Sequence, residues 1–149
     1  MALATHRTIE NRGEFIREEY VAGAASIKPG YLLKLNSSGN AVVHSTAETL
    51  TPLMIGNLDS LQGSIVTTAY TNAASIPVCF PSKGSVVNVV VESGESVSIG
   101  SKLCSAGNGK FMVVESATSG TLNAGTLLEA IEGQSAALSA DTLVACRVL

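Results

Sequence analysis

The chain has 149 residues, a net charge of −3, and 14% charged against 46% hydrophobic residues, where about 25% charged is usual. That length suits one domain with its own core, and no run of about 18 apolar residues marks a membrane-spanning helix. Five of the nine Lys and Arg lie between Arg7 and Lys34 but alternate with Glu10, Glu14, Glu18 and Glu19, and Trp is missing, so nucleic-acid binding is excluded as a function class.

Residues 1–25 hold many of the charges and one small apolar group, Phe15, Ile16, Tyr20 and Val21. Gly13 interrupts a helical spacing, and a strand spacing splits the apolar residues between two faces, so neither period wins. The segment ends in the flexible joint Ala22–Ser26. It is expected to be an extended N-terminal arm, residues 1–25, ahead of a body, residues 26–149. A frayed terminus or an edge strand is the alternative.

From Lys28 onward the chain reads as short β segments separated by turn residues. Tyr31–Leu35 and Ala41–His44 flank Asn36-Ser37-Ser38-Gly39-Asn40, a hairpin pattern. Leu53–Gly56 follows Pro52, and Ile65–Thr68 follows Gln62-Gly63. Ile76–Phe80 contains Pro77, which predicts an edge strand or a bulge. Val86–Val91 is the strongest strand, turned by Ser93-Gly94 toward Val97 and Ile99. Leu103-Cys104 and Phe111–Val114 flank Ala106-Gly107-Asn108-Gly109. Gly120 and Gly125 frame the approach to Leu127–Ile131, and Leu143–Leu149 ends the chain on a strand built into the sheet. Thr46–Leu50 and Ala136–Ala140 hint at helical turns. The expected fold is all-β, a compact β-sandwich or small barrel of about ten short strands.

Little in the chain asks for chemistry. Cys79, Cys104 and Cys146 are odd in number and lack C-x-x-C spacing, which predicts buried free thiols. His6 and His44 are too few for a zinc site. Glu92 and Glu95 flank one turn and read as a solvated pair, while Asp59 and Asp141 sit in polar loops. Gly107-Asn108-Gly109-Lys110 lacks Walker spacing and precedes a strand, so it is a hairpin turn and not a phosphate loop. No catalytic residue, metal or cofactor is expected. Met1–Arg12 has no apolar signal core, which predicts synthesis in a reducing cytoplasm.

Two resemblances follow from the motifs. Val91–Leu103 resembles the V-x-x-G-x-x-V-x-x-G-x-x-L run of biotinyl and lipoyl carrier domains, but neither Lys83 nor Lys110 stands where the carrier lysine would. The second covers most of the chain. Ile27-Lys28-Pro29-Gly30-Tyr31-Leu32-Leu33-Lys34-Leu35 with Gly39-Asn40-Ala41-Val42 comes first, then Pro52-Leu53-Met54-Ile55-Gly56. Gly94, Val97, Gly100 and Leu103 follow, then Ala106-Gly107-Asn108-Gly109-Lys110-Phe111 and Gly125–Ala130. In this order the elements resemble the small capsid decoration (cement) proteins of tailed bacteriophages.

That resemblance implies a structural virion protein, not an enzyme. It would be made in the host cytoplasm and then held on the outer surface of an expanded capsid. Its partners would be the major capsid protein and itself, as a homotrimer at local three-fold positions, with no nucleic acid and no membrane. On this reading Phe15, Ile16 and Tyr20 are apolar anchors on the capsid or on a neighbouring subunit, and Arg7, Arg12 and Arg17 set register by pairing with acidic groups. The alternatives are a head-fibre base or minor virion protein, and a small enzymatic or ligand-binding barrel. A deep pocket holding His44 beside a carboxylate would mark the last.

Overall fold

The structure, a computed structural model, describes residues 3–58, 65–114 and 125–149. Asp59, Gln62-Gly63 and Gly120 lie outside the described residues. Among the described residues eleven strands are present: β1 Glu10–Arg12, β2 Phe15–Val21, β3 Leu32–Leu35, β4 Ala41–Val43, β5 Met54–Gly56, β6 Ser75–Pro81, β7 Val86–Val91, β8 Lys102–Ser105, β9 Phe111–Val113, β10 Leu128–Ala130 and β11 Thr142–Val148. The protein is all-β.

The strands form two sheets. In the first the order is β1-β7-β11-β10-β8-β9, and a parallel contact from Val91 to Phe111 joins β9 back to β7. Five strands thereby close into a small barrel, which removes most free edges. β1 occupies the other end of the same β7 edge, with Glu10 opposite Val87. The second sheet has the order β2-β6-β5-β3-β4. It is drawn into a ring where Ala22 bridges Ala41 and the Gly23 amide donates to the Ala41 carbonyl at 2.8 Å.

The strand period of two assigns side chains to two cores. In β3, Leu32 enters the larger core and Leu33 the smaller; in β5, Ile55 and Met54 divide the same way; in β6, Cys79 faces the larger core, Ile76 and Val78 the smaller. These strands are therefore buried on both faces. This explains why adjacent residues such as Leu32-Leu33, Met54-Ile55 and Val78-Cys79 are both apolar, with no alternation between them. β7 is buried at all six positions, with Val87, Val89 and Val91 in the larger core and Val90 in the smaller.

Several expectations are corrected. Pro77 lies in a central strand, with β2 on one side and β5 on the other. The strand tolerates it because β5 stops at Gly56. The Pro77 carbonyl still accepts from the Asn57 amide at 2.9 Å. The Asn57 carbonyl, which the missing proline N–H would have served, accepts instead from the Tyr70 hydroxyl. Ile65–Thr68 is a turn closed by the Thr68 amide on the Ile65 carbonyl, not a strand. Neither Thr46–Leu50 nor Ala136–Ala140 is helical. Val97 fills the larger core from a loop, and Ile99 is exposed.

The segment expected as an arm lies along the body. Ile9 is 1% exposed and belongs to the larger core. β1 and β2 run antiparallel to β7 and β6, so residues 10–21 contribute a strand to each sheet. The chain passes from one sheet to the other at Gly13, directly over the β6–β7 corner at Ser85. A Cβ on Gly13 would stand 2.3 Å from the Ser85 hydroxyl oxygen, and its φ of 111° favours glycine. The Ser85 hydroxyl accepts from the Glu14 amide at 2.9 Å and donates to the Glu14 carbonyl at 3.1 Å.

Candidate functional site

The residues singled out in the sequence converge on β2, with two outliers. Phe15, Ile16, Arg17 and Tyr20 are on β2, Arg12 ends β1 just before the corner, and Arg7 lies upstream on the N-terminal strap, residues 3–9, exposed. Pairing with β6 fixes the faces. Ile16 and Tyr20 stand opposite Phe80 and Ile76, on the side of the smaller core, and Phe15 and Arg17 stand opposite Pro81 and Cys79. Ile16 is 63% exposed. Tyr20 is half-buried against the smaller core, and its hydroxyl donates to Glu18. Phe15 packs against the larger core, so truncating it removes internal packing as well as any outer contact. It is thus a poorer isolated probe of attachment than Ile16.

Arg17 is held by Glu10, with Nε donating at 2.8 and 3.0 Å and a second nitrogen completing the fork. This bidentate pairing raises the guanidinium pKa above its ordinary value. Glu10 also accepts from the Asn57 side-chain amide at 2.9 Å, so one carboxylate ties β1 to β2 and to the end of β5. Sequence reasoning missed Glu10, which looked like one more alternating surface charge.

It also missed Asn88. This residue is 1% exposed in the middle of β7, and its amide side chain donates to the Thr8 carbonyl at 2.9 Å and accepts from Asn11 at 3.2 Å. Its backbone amide donates to the Ile9 carbonyl. A lone Asn inside an apolar strand is the signal that could have shown the N-terminal segment to be pinned there, because a buried amide needs partners. Farther upstream, His6 pairs with Glu132, which also accepts from the Ala145 amide at 2.8 Å.

Among the described residues, no three His, Cys, Asp or Glu are grouped to hold a metal. All three cysteines are buried free thiols; burial pushes Cys79 up to about 12 and Cys104 up to about 11, and Cys146 higher still. His44 is buried, and its Nδ1 lies 3.4 Å from the Ser105 hydroxyl. That hydroxyl donates to the Thr46 carbonyl at 2.9 Å and accepts from the Gly107 amide. Burial, and after it the charge of Lys34, holds His44 below its ordinary pKa. The Ser–His contact is a clasp between the β4 and β8 ends, with the serine fully buried.

Asp141 is not isolated: it pairs with Lys110 at 2.8 Å, which lowers its pKa and raises that of Lys110. Glu95 is not a solvated acid either, since its carboxylate accepts from the Val113 amide at 2.8 Å. A cleft of about 440 Å³ lies under the N-terminal strap, lined by Leu3, Lys28, Tyr31, Val90, Asp141 and Leu143 among others; His44 does not line it.

The exposed β2 strand, backed by a clasped corner, is thus a rigid candidate surface for recognising another protein. No known family model matches the chain, and no curated protein matches it.

Proposed function

We propose that the protein is a structural virion component that binds the outer surface of an expanded phage capsid and clamps neighbouring major capsid subunits. The observation that carries this reading is the order of motifs from Ile27 to Ala130, read together with the exposed β2 strand on which four of the six proposed contact residues stand. Rigid presentation favours such a role, because a contact strand already ordered by β6 loses little conformational entropy on docking.

A standard interface covers about 800 Å² per partner, so one subunit's contact can be weak. In the homotrimer implied by the resemblance, three contacts on one rigid particle reinforce each other through effective concentration. Contacts that exist only on the expanded shell stabilise that shell by linkage.

The test is co-sedimentation with heads of the phage that encodes this chain, prepared without it. The protein should travel with expanded heads and not with procapsids, and Ile16→Asp should reduce its occupancy. Equal binding to both forms, or none to either, would overturn the proposal.

A further inference from the structure

The free edge of β2 makes the most specific statement on the molecule's surface. β6 pairs with one edge, and among the described residues no strand pairs with the other; only Ala22 and Gly23, just past its end, reach β4. The Glu14 carbonyl accepts from Ser82, and Ala22 exchanges hydrogen bonds with Ala73 and Ala74 on the β6 side. The unbroken register between these points means that even-numbered residues bond toward β6. The amides and carbonyls of Phe15, Arg17, Glu19 and Val21 therefore point outward. The Gly23 amide, next in that series, points outward to Ala41. Seven residues with no Pro or bulge leave these groups open to pairing, and the exposed charges of Arg17, Glu18 and Glu19, which blunt an edge against indiscriminate pairing, restrict it to a complementary strand.

We propose that β2 pairs antiparallel with β2 of a second copy of this chain, about a twofold axis through Glu18. Facing residues must point to the same side of a continuous sheet, so the axis must pass through a residue position. Centred on Arg17, the pairing sets Arg17 against itself and Phe15 against Glu19. Centred on Glu19, it sets Glu18 against Tyr20 and Arg17 against Val21. Centred on Glu18, it spans the whole strand: Phe15 faces Val21, Ile16 faces Tyr20, and Arg17 faces Glu19, each pair made twice.

The same register places the outward amides of Arg17 and Glu19 opposite each other. It also covers Ile16, the most exposed side chain of the strand's apolar set. Glu19 has no ion pair or hydrogen-bond partner among the described residues, and Arg17 keeps free donors beyond the fork to Glu10. The unfavourable element is Glu18 facing Glu18 on the axis.

This contact stands whether or not the chain binds a shell. It is twofold, so a three-fold assembly does not use it, and on a capsid it would join one trimer to the next. The experiment is sedimentation equilibrium on the wild-type protein and on charge variants whose fold is checked by circular dichroism. Wild type should contain an even number of chains: two, or six where a trimer forms through other surfaces. Glu19→Arg sets Arg against Arg, Arg17→Glu sets Glu against Glu, and each alone should lose the pairing. An equimolar mixture should regain it, because each strand then faces its complement. Glu18→Gln should tighten the pairing about threefold.

A readout that spares Arg17 uses single cysteines. Glu18→Cys, on the axis, should cross-link to its own copy under mild oxidation, while Glu19→Cys should not. One or three chains for wild type, failure of the mixture to re-associate, or equal cross-linking by the two cysteine variants would overturn the proposal.

Discussion

β7 and β2 are both short strands of β-forming residues, Val throughout β7 except Asn88 and Phe15, Ile16, Tyr20 and Val21 in β2, yet β7 is buried at every position while β2, which also carries Arg17, Glu18 and Glu19, is mostly exposed. The difference lies in their neighbours. β7 has β11 along one edge and both β1 and β9 along the other, whereas β2 has only β6. One strand is the shared wall of two cores; the other is a rail laid across their outside. β-propensity states only that a segment fits a pleated surface, and pairing decides whether that surface faces core or water. Substitutions around β7 should therefore cost stability, and substitutions on the outer part of β2 should cost association.

The sharpest way to break this contrast is a pair of truncations. Phe111→Ala, beside Val91 in the closed barrel and fully buried, should lower unfolding free energy by about 3–5 kcal/mol. Ile16→Ala should stay within about 0.5 kcal/mol. Similar losses in urea denaturation would erase the distinction. Asn88→Ala comes next. It strands the Thr8 carbonyl and the Asn11 amide, and should cost about 1–3 kcal/mol, with faster amide exchange over residues 8–12.

Tyr70→Phe tests the proline substitution in the central strand. Removing the hydroxyl leaves the Asn57 carbonyl without its donor and should cost about 1 kcal/mol; an unchanged urea midpoint would show that the carbonyl finds water instead.

The smallest effect is a pH dependence. His44 is held below its ordinary value of 6.5, chiefly by burial. The unfolded chain therefore takes up the proton first as pH falls. The stability is fully present above about 6.5 and is lost as pH falls toward the folded value. Asp141 and Glu129, both held below the carboxylate range by lysine partners, lose their contributions only at more acidic pH, below about 4. His44→Asn should flatten the upper window and leave the lower one. A curve unchanged between pH 7.5 and 5 in both proteins would place the effect elsewhere.

Most hairpins were legible because their turns carry their own chemistry. Asn36 accepts from the Ser38 and Asn40 amides through its side chain, and Gly39 takes a φ of 77°. Likewise Gly107 and Gly109 adopt positive φ in the β8–β9 turn. The Pro77 strand was misplaced because its compensation comes from Tyr70, outside the strand itself. The N-terminal strands were illegible for a related reason. β1 and β2 show no clear period because all three residues of β1 are polar, and β2 places apolar side chains on both faces, Phe15 toward one core and Tyr20 toward the other.

The amino-acid sequence by itself determined the all-β class, the hairpins with Gly and Asn turns, and the buried state of the three thiols, since each follows from local backbone preference or from composition. Only the tertiary structure decided which strands close the barrel, that residues 10–21 cross from one sheet to the other, and that Glu10, Ser85 and Asn88 hold them there. Those outcomes depend on partners 47 to 80 positions away in the chain. A pairing over such a separation is set by which buried donors and acceptors must be satisfied once the cores have formed.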